Sequence, residues 1–494
     1  MMNDAKAARE AVFRRRLRHS DYLFTATGKL PRIQRAGLAA TLSIGALLVL
    51  TSPGAGFSAP AADAWGYAVV VSQRTFDAPD WSLVVKALEA KHHAVILTYR
   101  DDVTEILPRL RACFPRYACF VARSEEATRE FVAEVHQLTR RLDDDPYTDC
   151  LWGILTGYDA ANALRIAKQS EPLTVRRVAS GTELAMDMVE EGVWYCELNK
   201  NKMVKKEPGK PAAEVRGPDD TTEALVKSLN EYHPDLFVTS GHATEHDWQI
   251  GFRYRSGVFK HADGRLYGLD TQGRRFPIDS PNPKIYLPIG NCLMGHIDQR
   301  DCMATSWMNS AGVCQMLGYT QATWYGYMGW GVLDYFVEQP GRYTFTEAFF
   351  ANQAALIHRL QSGNLNDADK QGLLYDRDTV AFYGDPAWAA RMADGDKAWD
   401  QKLTELGGEY TFEIQPRWGA KSFAPVNTNG SQRGGRPIIE FFAHRLKNIT
   451  LTEGQDLQPV VTSKFILVPH PGRCEPGRVY RIKFRAARAA AWKQ

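Results

Sequence analysis

The chain has 494 residues, of which 44% are hydrophobic and 24% charged, and its 60 Lys and Arg residues nearly balance 57 Asp and Glu residues. This composition excludes a disordered chain, a collagen-like chain and a multi-span membrane protein, because each requires a more biased residue usage. The near-neutral charge and the lack of a long basic tract argue against nucleic acid as the main partner. The length allows about two or three domains.

A basic segment followed by an apolar one opens the chain. Seven Arg and Lys residues between positions 14 and 35 precede the apolar run 36–50, and small residues follow at 59–64. This order is typical of a secretory signal, and the run is shorter than the ~20 residues of a membrane-spanning helix. We predict an export segment over residues 1–64 and a secreted, periplasmic or surface protein with no stable membrane span. A single membrane anchor is the alternative.

Short apolar runs alternate with helical stretches between residues 65 and 395. The predicted strands lie at residues 67–72, 93–99, 118–122, 151–156, 235–239, 285–289 and 313–317, and the predicted helices at 81–91, 125–141 and 346–361. Apolar strands rich in β-branched residues, separated by amphipathic helices, are typical of a parallel sheet covered on both faces. The pattern predicts a doubly wound, mostly parallel α/β fold.

The remaining segments divide the chain further. Residues 199–220 are rich in Lys and Pro and predict an exposed loop open to proteolysis, and residues 251–283 predict strands and turns inserted between two core strands. Beyond residue 408, short strands at 410–414, 437–442, 464–468 and 479–484 predict a small all-β, immunoglobulin-like domain. The predicted domains are 65–395, with parts 65–145 and 146–395, and 396–494.

Eight cysteines are too few for a disulfide scaffold, and the chain contains no CxxC motif of the kind found in zinc ribbons and thioredoxin-like proteins. In an exported protein, cysteines can be oxidised. Cys113 and Cys119 are close enough in sequence to form a disulfide under those conditions.

Two predicted strands lead into residues suited to nucleophilic catalysis. The strand at 235–239 leads into His242, and the strand at 285–289 leads into Cys292, 50 positions later. In open α/β sheets, functional groups gather beyond the carboxyl ends of strands, so we expect these two side chains at one sheet edge. A thiolate is the attacking form of cysteine, and a neighbouring imidazole can take its proton and later protonate a leaving amine.

Glycines accompany both of these residues. Gly241 and Gly290 are expected to let the backbone approach a substrate closely. The backbone N–H of Cys292 can then face a developing oxyanion.

Five segments, in order along the chain, resemble the gingipain family of caspase-fold cysteine peptidases. They are 236–243 (LFVTSGHA), 287–295 (LPIGNCLMG), 301–308 (DCMATSWM), 323–324 (TW) and 382–386 (FYGDP). The similarity covers roughly residues 65–388. It implies a caspase-like sheet followed by a C-terminal β-sandwich. We expect no cofactor and no metal ligands in the catalytic site, and a requirement for calcium is left open.

The resemblance also implies residue roles. His242 is the general base and acid, Cys292 is the nucleophile, and the backbone N–H groups of Cys292 and Ala243 form the oxyanion hole. The family usually has Gly where this chain has Ala243, which restricts the turn but keeps the donor. Trp324 is expected to cover the primary specificity pocket. The orienting carboxylate is left among four candidates, Asp143, Asp144, Asp145 and Asp149, and the acidic residue that selects Arg or Lys has no clear counterpart.

Two other functions compete with an exported cysteine endopeptidase acting on protein or peptide substrates. Residues 242–246 spell H-x-x-E-H, the inverted zinc-peptidase motif, in which His242, Glu245 and His246 serve a metal. That motif must be helical to place both histidines on one face, whereas the surrounding sequence is typical of strands. The third interpretation is a catalytically inactive surface, secretion-assembly or binding protein that keeps the fold.

Overall fold

The computed structural model describes residues 66–475 and 477–490, and these residues belong to one compact unit. The predicted export segment, residues 1–64, lies outside the described residues. Within the described ranges, no helix is both long enough and apolar enough to cross a bilayer.

The helices of four or more residues with α geometry are numbered in chain order. They are α1 Gln73–Phe76, α2 Pro79–His92, α3 Leu107–Cys113, α4 Arg129–Thr139, α5 Ala160–Lys168, α6 Thr222–Asn230, α7 Met303–Ser310, α8 Tyr327–Phe336, α9 Phe345–Gln361 and α10 Asp367–Asp376.

The strands are numbered in the same way. Those preceding the last helices are β1 Tyr67–Ser72, β2 Val95–Tyr99, β3 Tyr117–Val121, β4 Leu151–Leu155, β5 Leu173–Val175, β6 Arg177–Ser180, β7 Glu191–Tyr195, β8 Lys202–Lys206, β9 Ala213–Arg216, β10 Leu236–Thr239, β11 Asp247–Gln249, β12 Val258–Ala262, β13 Arg265–Leu269, β14 Arg275–Pro277, β15 Lys284–Pro288 and β16 Val313–Tyr319. The remainder are β17 Val380–Gly384, β18 Ala390–Met392, β19 Trp399–Leu406, β20 Glu409–Pro416, β21 Ile438–Phe441, β22 Leu446–Glu453, β23 Val460–Val461, β24 Phe465–Val468 and β25 Tyr480–Arg488.

Twelve of these strands form one sheet in the order β2-β1-β3-β4-β17-β16-β15-β10-β6-β7-β8-β9. Neighbouring strands pair in parallel except at β16–β17, β7–β8 and β8–β9. β4 and β17 meet at a single bridge between Ile154 and Tyr383. Strands β1, β4, β15 and β16 are buried along their whole length, as their continuous apolar sequences predict. The predicted α/β class is therefore confirmed.

Helices cover both faces of this sheet. The connection from β1 through α2 to β2 runs in the opposite direction to that from β2 through α3 to β3, so right-handed crossovers place α2 and α3 on opposite faces. On the face of α2, α5 packs against α2, and Arg165 of α5 donates to the carbonyl of Met308 in α7 (2.7 Å). Elsewhere, the ring of His136 in α4 packs edge-on against Trp152 of β4, with centroids 4.7 Å apart.

Two expectations about local structure are wrong. Residues 199–220 are not a simple loop, because they contain β8 and β9, which extend the sheet as an antiparallel edge. The Lys-rich composition of this segment suits a solvent-exposed edge strand and conceals the alternation that would identify it. Cys113 and Cys119 do not form a disulfide: both are buried free thiols, as are five of the other six cysteines.

The C-terminal strands form two antiparallel sheets, β19-β20-β25-β22 and β21-β24-β23. Alternate residues of β21 and β24 face different cores, because successive side chains of a strand point to opposite faces. Those that pack within the β-sandwich are Ile438, Ile466 and Val468. Those that pack against the α/β core are Ile439, Phe465 and Leu467. The predicted small all-β unit is confirmed, and it shares a buried sheet with the larger one.

A segment of this C-terminal unit, residues 425–436, reaches across α8 and is called the strap. Arg433 of the strap, whose side chain is 2% exposed, pairs with Asp334 of α8 (Nε to Oδ1, 2.6 Å) and with Glu338. Arg436 of the strap lies over the Tyr327 ring, with its guanidinium carbon 3.7 Å from the ring centroid. Since unpaired buried charges are costly, these contacts hold the strap firmly on α8.

Candidate active site

The candidate site lies where β10 and β15 end. These strands are parallel neighbours, with Leu236 opposite Ile285 and Thr239 opposite Pro288. The pairing continues one step further, since the N–H of Ile289 donates to the carbonyl of Thr239 (2.9 Å). The turns that carry His242 and Cys292 therefore leave the sheet side by side at the same edge.

Asn291, which is fully buried, ties the two turns together. Its side-chain oxygen accepts a hydrogen bond from the Thr239 hydroxyl (2.7 Å), and its side-chain NH₂ donates to the carbonyl of Gly241 (3.1 Å). These two bonds link the residue before Cys292 to the residue before His242. The amide thus fixes the relative positions of the backbone on both sides of the site.

Cys292 is half-buried, unlike the other seven cysteines, which are buried. The backbone N–H of Thr323 donates to its sulfur (3.2 Å). Burial raises the pKa of the Cys292 thiol above its ordinary value, and the hydrogen bonds from Thr323 oppose that rise. The resting side chain is therefore a thiol that needs a base before it can attack.

His242 is exposed, and its ring packs against Phe252 with centroids 4.9 Å apart. Its carbonyl accepts from the N–H of Gln249 (2.9 Å), which anchors the backbone while leaving the imidazole free of hydrogen bonds to described residues. Within the described part of the chain, no hydrogen bond joins this imidazole to the Cys292 thiol. The two groups share an edge of the sheet without forming an ion pair at rest.

Two backbone N–H groups at this edge take no part in backbone pairing. Those of Cys292 and Ala243 donate to no backbone carbonyl among the described residues. Ala243, which is buried, forms an isolated antiparallel bridge with Trp248 in a pattern that uses the N–H groups of Thr244 and Gln249 instead.

The two glycines next to the turns differ in purpose. Gly241 has a φ of +94°, a conformation that costs other residues energy, and a Cβ there would meet nothing closer than 3.8 Å. A Cβ on Gly290 would lie 2.8 Å from Nε1 of Trp330. The indole of Trp330 therefore occupies the space that a side chain at position 290 would need, and packing against Trp330 requires the glycine.

Trp324 follows Thr323 and has 56% of its surface exposed. Its ring packs against those of Tyr325 (5.7 Å between centroids) and Tyr375 (5.9 Å). Trp324 is the next residue in the chain after Thr323, whose backbone N–H donates to the Cys292 sulfur. The Trp324 side chain is therefore an exposed aromatic surface that belongs to the residue after the hydrogen-bond partner of Cys292.

The four candidate orienting carboxylates lie elsewhere. Asp143, Asp145 and Asp149 all accept hydrogen bonds from the Lys464 ammonium of the C-terminal unit. They precede β4, which is separated from β10, the strand before His242, by β17, β16 and β15, a distance of about 19 Å at ordinary strand spacing. For Asp143, Asp145 and Asp149 the candidate role of orienting His242 is therefore wrong. These three residues neutralise a buried lysine.

Two carboxylates missed at the level of sequence lie nearer the site. Glu183 follows β6, the neighbour of β10, and Glu197 follows β7. The backbone carbonyl of Glu197 accepts a hydrogen bond from the N–H of Phe252 (2.6 Å), whose ring packs against His242. The Glu197 carboxylate accepts from the N–H of Glu183 (3.2 Å) and from the side-chain amide of Asn429 in the strap (3.2 Å). Burial raises the pKa of Glu183. Both glutamates follow the carboxyl end of a strand, as His242 does, and this position in the sequence could have identified them as site residues.

The H-x-x-E-H motif is not helical. It lies in the turn between β10 and β11, where the N–H of Thr244 donates to the carbonyl of Asp247 (2.9 Å). Without a helix, His242 and His246 do not share a face, and the inverted zinc-peptidase interpretation of residues 242–246 is not supported by this geometry.

No family model and no curated protein matches the chain. Among solved structures, the complex of Porphyromonas gingivalis RgpB pro- and mature domains aligns with 82% of this chain and 93% of that chain, with 10% sequence identity and a TM-score of 0.41. The fold class of this chain rests on its own strand order and pairing.

Replacing Asn291 with alanine tests the link between the turns. The change leaves the Gly241 carbonyl and the Thr239 hydroxyl without this partner, so the free energy of unfolding should fall by about 1–3 kcal/mol. Urea denaturation of the full chain measures it. Asn199→Ala, at an exposed position whose side chain makes no described hydrogen bond, should change stability by less than about 0.5 kcal/mol. Equal effects of the two substitutions would contradict the linking role.

Proposed function

We propose that the protein is an exported cysteine endopeptidase in which Cys292 is the nucleophile and His242 the general base and acid. The observation that carries the proposal is the Asn291 bridge, which holds the turns of these two residues together at the common end of β10 and β15. Beside it lie a half-buried thiol, an exposed imidazole and two N–H donors that take no part in backbone pairing. This is the set of groups that acyl transfer through a thiol requires.

The reaction begins at the carbonyl carbon of a bound peptide. His242 takes the thiol proton as Cys292 Sγ forms a bond to that carbon, and the carbonyl π electrons move to oxygen. The N–H groups of Cys292 and Ala243 donate to the resulting oxyanion. When this tetrahedral intermediate collapses, the peptide C–N bond breaks, and the protonated ring of His242 gives its proton to the departing amine.

The second half returns the enzyme to its resting form. The acyl group is then held as a thioester on Cys292. His242 takes a proton from water, whose oxygen attacks the thioester carbonyl. The new oxyanion again accepts hydrogen bonds from the N–H groups of Cys292 and Ala243. Collapse breaks the C–S bond, releases the carboxylic acid product, and returns the proton from His242 to the sulfur.

In this geometry, we expect the proton to move from the Cys292 thiol to His242 only when a substrate is bound. The raised pKa of Cys292 favours the thiol, and the exposed His242 ring makes no hydrogen bond to described residues that rotation would break. Hydrogen bonds between catalytic groups often tighten only in the substrate complex. Trp324 offers an exposed aromatic wall next to Thr323 for the substrate residue preceding the cleaved bond.

The same observations favour one second candidate, a binding protein that has the fold without the activity. Its support is that Thr323, not His242, is the hydrogen-bonding partner of the Cys292 sulfur. Such a protein would bind a peptide segment at this edge and leave it intact. Under either proposal, residues 1–64 direct export.

Substitution of the nucleophile separates the two candidates. Cys292→Ala should lower the turnover of a cleavable peptide from a fluorogenic library at least about 10³-fold, because no other group can form the thioester. Cys474→Ala, which removes a buried thiol of the C-terminal unit, should keep the activity. Cleavage retained in Cys292→Ala would overturn the enzyme proposal, and wild-type protein that binds library peptides without cleaving them would establish the binding function.

The pH dependence of thiol modification tests the resting state. An ordinary cysteine has a pKa of about 8.5, and burial raises that of Cys292. The rate of Cys292 alkylation by iodoacetamide should therefore still be rising with pH above about 9. Mass spectrometry of the modified peptide gives the rate at this position. A rate that is already constant below about pH 7 would show a preformed thiolate–imidazolium pair and contradict this prediction.

A further inference from the structure

A second group of ionisable side chains lies beside the candidate active site. Glu245 and His246 follow His242 in the turn before β11, and Asp298 lies in the segment after Cys292. One ligand atom from each of these three residues lies within 4.8 Å of the other two. The group therefore spans the two turns that carry the proposed nucleophile and base.

A chain of hydrogen bonds joins His246 to Asp301 through His261. Nδ1 of His261 lies 3.0 Å from a carboxylate oxygen of Asp301, which can only accept, so this nitrogen carries the proton. In neutral His261, Nε2 is then an acceptor, and it faces Nδ1 of His246 at 3.1 Å. In that arrangement Nδ1 of His246 donates to it, and Nε2 of His246 keeps its lone pair.

That lone pair points at a carboxylate. Nε2 of His246 lies 3.1 Å from Oδ2 of Asp298, so two acceptors face each other unless a positive charge lies between them. A proton on Nε2 would satisfy this pair alone, and Glu245 would then have only His296 as a described ion-pair partner (Nδ1 to Oε1, 3.7 Å). A cation bound to all three residues satisfies both carboxylates and the imidazole together.

No lysine or arginine among the described residues fills this role. Within the described residues, no Lys or Arg nitrogen comes within ion-pair distance of Glu245 or Asp298, and the charged neighbour Arg129 directs its guanidinium to His296 (NH2 to Nε2, 2.9 Å). His296 itself is 3.7 Å from Glu245 (Nδ1 to Oε1). The acidic tract at 143–149 differs, because the Lys464 ammonium already lies among its carboxylates.

The donor set and its spacing indicate the class of ion. Two donors bound to one ion at about 2.1 Å lie about 3.0–3.4 Å apart in octahedral or tetrahedral geometry. The His246–Asp298 pair, at 3.1 Å, already has this spacing, and the Glu245 oxygen lies within 4.8 Å of both. One imidazole nitrogen with two carboxylates is a ligand set for Zn²⁺ and similar divalent ions, whereas Ca²⁺ prefers oxygen alone. His261 and Asp301 complete an outer shell of the kind that orients a metal-bound imidazole.

We propose that Glu245, His246 and Asp298 bind one divalent transition-metal ion of the Zn²⁺ class and that this ion joins the His242 turn to the segment after Cys292. His242 itself is not a ligand, so the site differs from a zinc-peptidase centre. The ion stabilises the turns from outside the cleft and takes no part in bond cleavage. Binding of this ion does not depend on the proposed function.

Metal binding is measured on the full chain carrying Cys292→Ala, which removes the half-buried thiol as a competing ligand. After treatment with chelator and dialysis, titration with ZnCl₂ by calorimetry should show one saturable site, and Zn²⁺ should raise the thermal unfolding temperature. Asp298→Asn and Glu245→Gln should each weaken binding at least about tenfold, and Asp301→Asn, which acts through His261, should weaken it to a smaller degree. Unfolding curves recorded without metal confirm that each variant is folded.

Asp279→Asn is the matched control, since Asp279 is exposed and its carboxylate has no described partner. Introduced into the Cys292→Ala background, which is the parent protein of this experiment, it should leave the affinity for Zn²⁺ unchanged. The proposal is overturned by the absence of a saturable site, by equal affinity in Asp298→Asn and the parent, or by preference for Ca²⁺ over Zn²⁺. Because the parent is inactive by design, none of these outcomes depends on whether the wild-type protein cleaves peptides.

Discussion

The hydrogen bonds of a single buried amide hold the candidate site together. β10 and β15 are parallel neighbours, which brings their ends to one edge, but parallel pairing stops at Ile289 and cannot position the two turns beyond it. There Asn291 connects Thr239 to Gly241, and so fixes both turns against one another. A buried amide with satisfied partners at both ends gives a more definite geometry than apolar packing alone.

The C-terminal unit contributes to the same region. Its strap is fixed by the buried charges of Asp334 and Arg433, and its Gly430 lies against the ring of Trp330. Trp330 in turn fills the space over Gly290, two residues before Cys292. Through Asn429 the strap also reaches Glu197, which supports Phe252 below the His242 ring. Trp330 beside the Cys292 turn and Phe252 beside His242 are therefore both connected to the strap. The C-terminal unit and the α/β sheet together position the site.

Sequence patterns identified the elements that depend on burial. Continuous apolar runs predicted β1, β4, β10, β15 and β16 because strands covered on both faces need them. β8 and β9 were missed because an exposed edge strand has little apolar signal, and the sequence of 199–220 resembles a loop. The candidate role of Asp149 was wrong, and the packing of Gly290 was missed, for another reason. Their partners, Lys464 and Trp330, are 315 and 40 positions away, and such pairings follow from tertiary packing. Likewise, the relay through His261 and Asp301 joins turns that no local motif connects.

Trapping of the covalent intermediate tests the central claim most directly. A peptide ester that the protein cleaves is mixed with it, the reaction is stopped with acid within milliseconds, and the adduct is located by mass spectrometry. Catalysis by the Cys292–His242 pair predicts about one acyl group per molecule on Cys292, and in His242→Ala a thioester that hydrolyses far more slowly. Hydrolysis without any adduct on Cys292, or loss of the adduct at an equal rate in His242→Ala, would contradict the account.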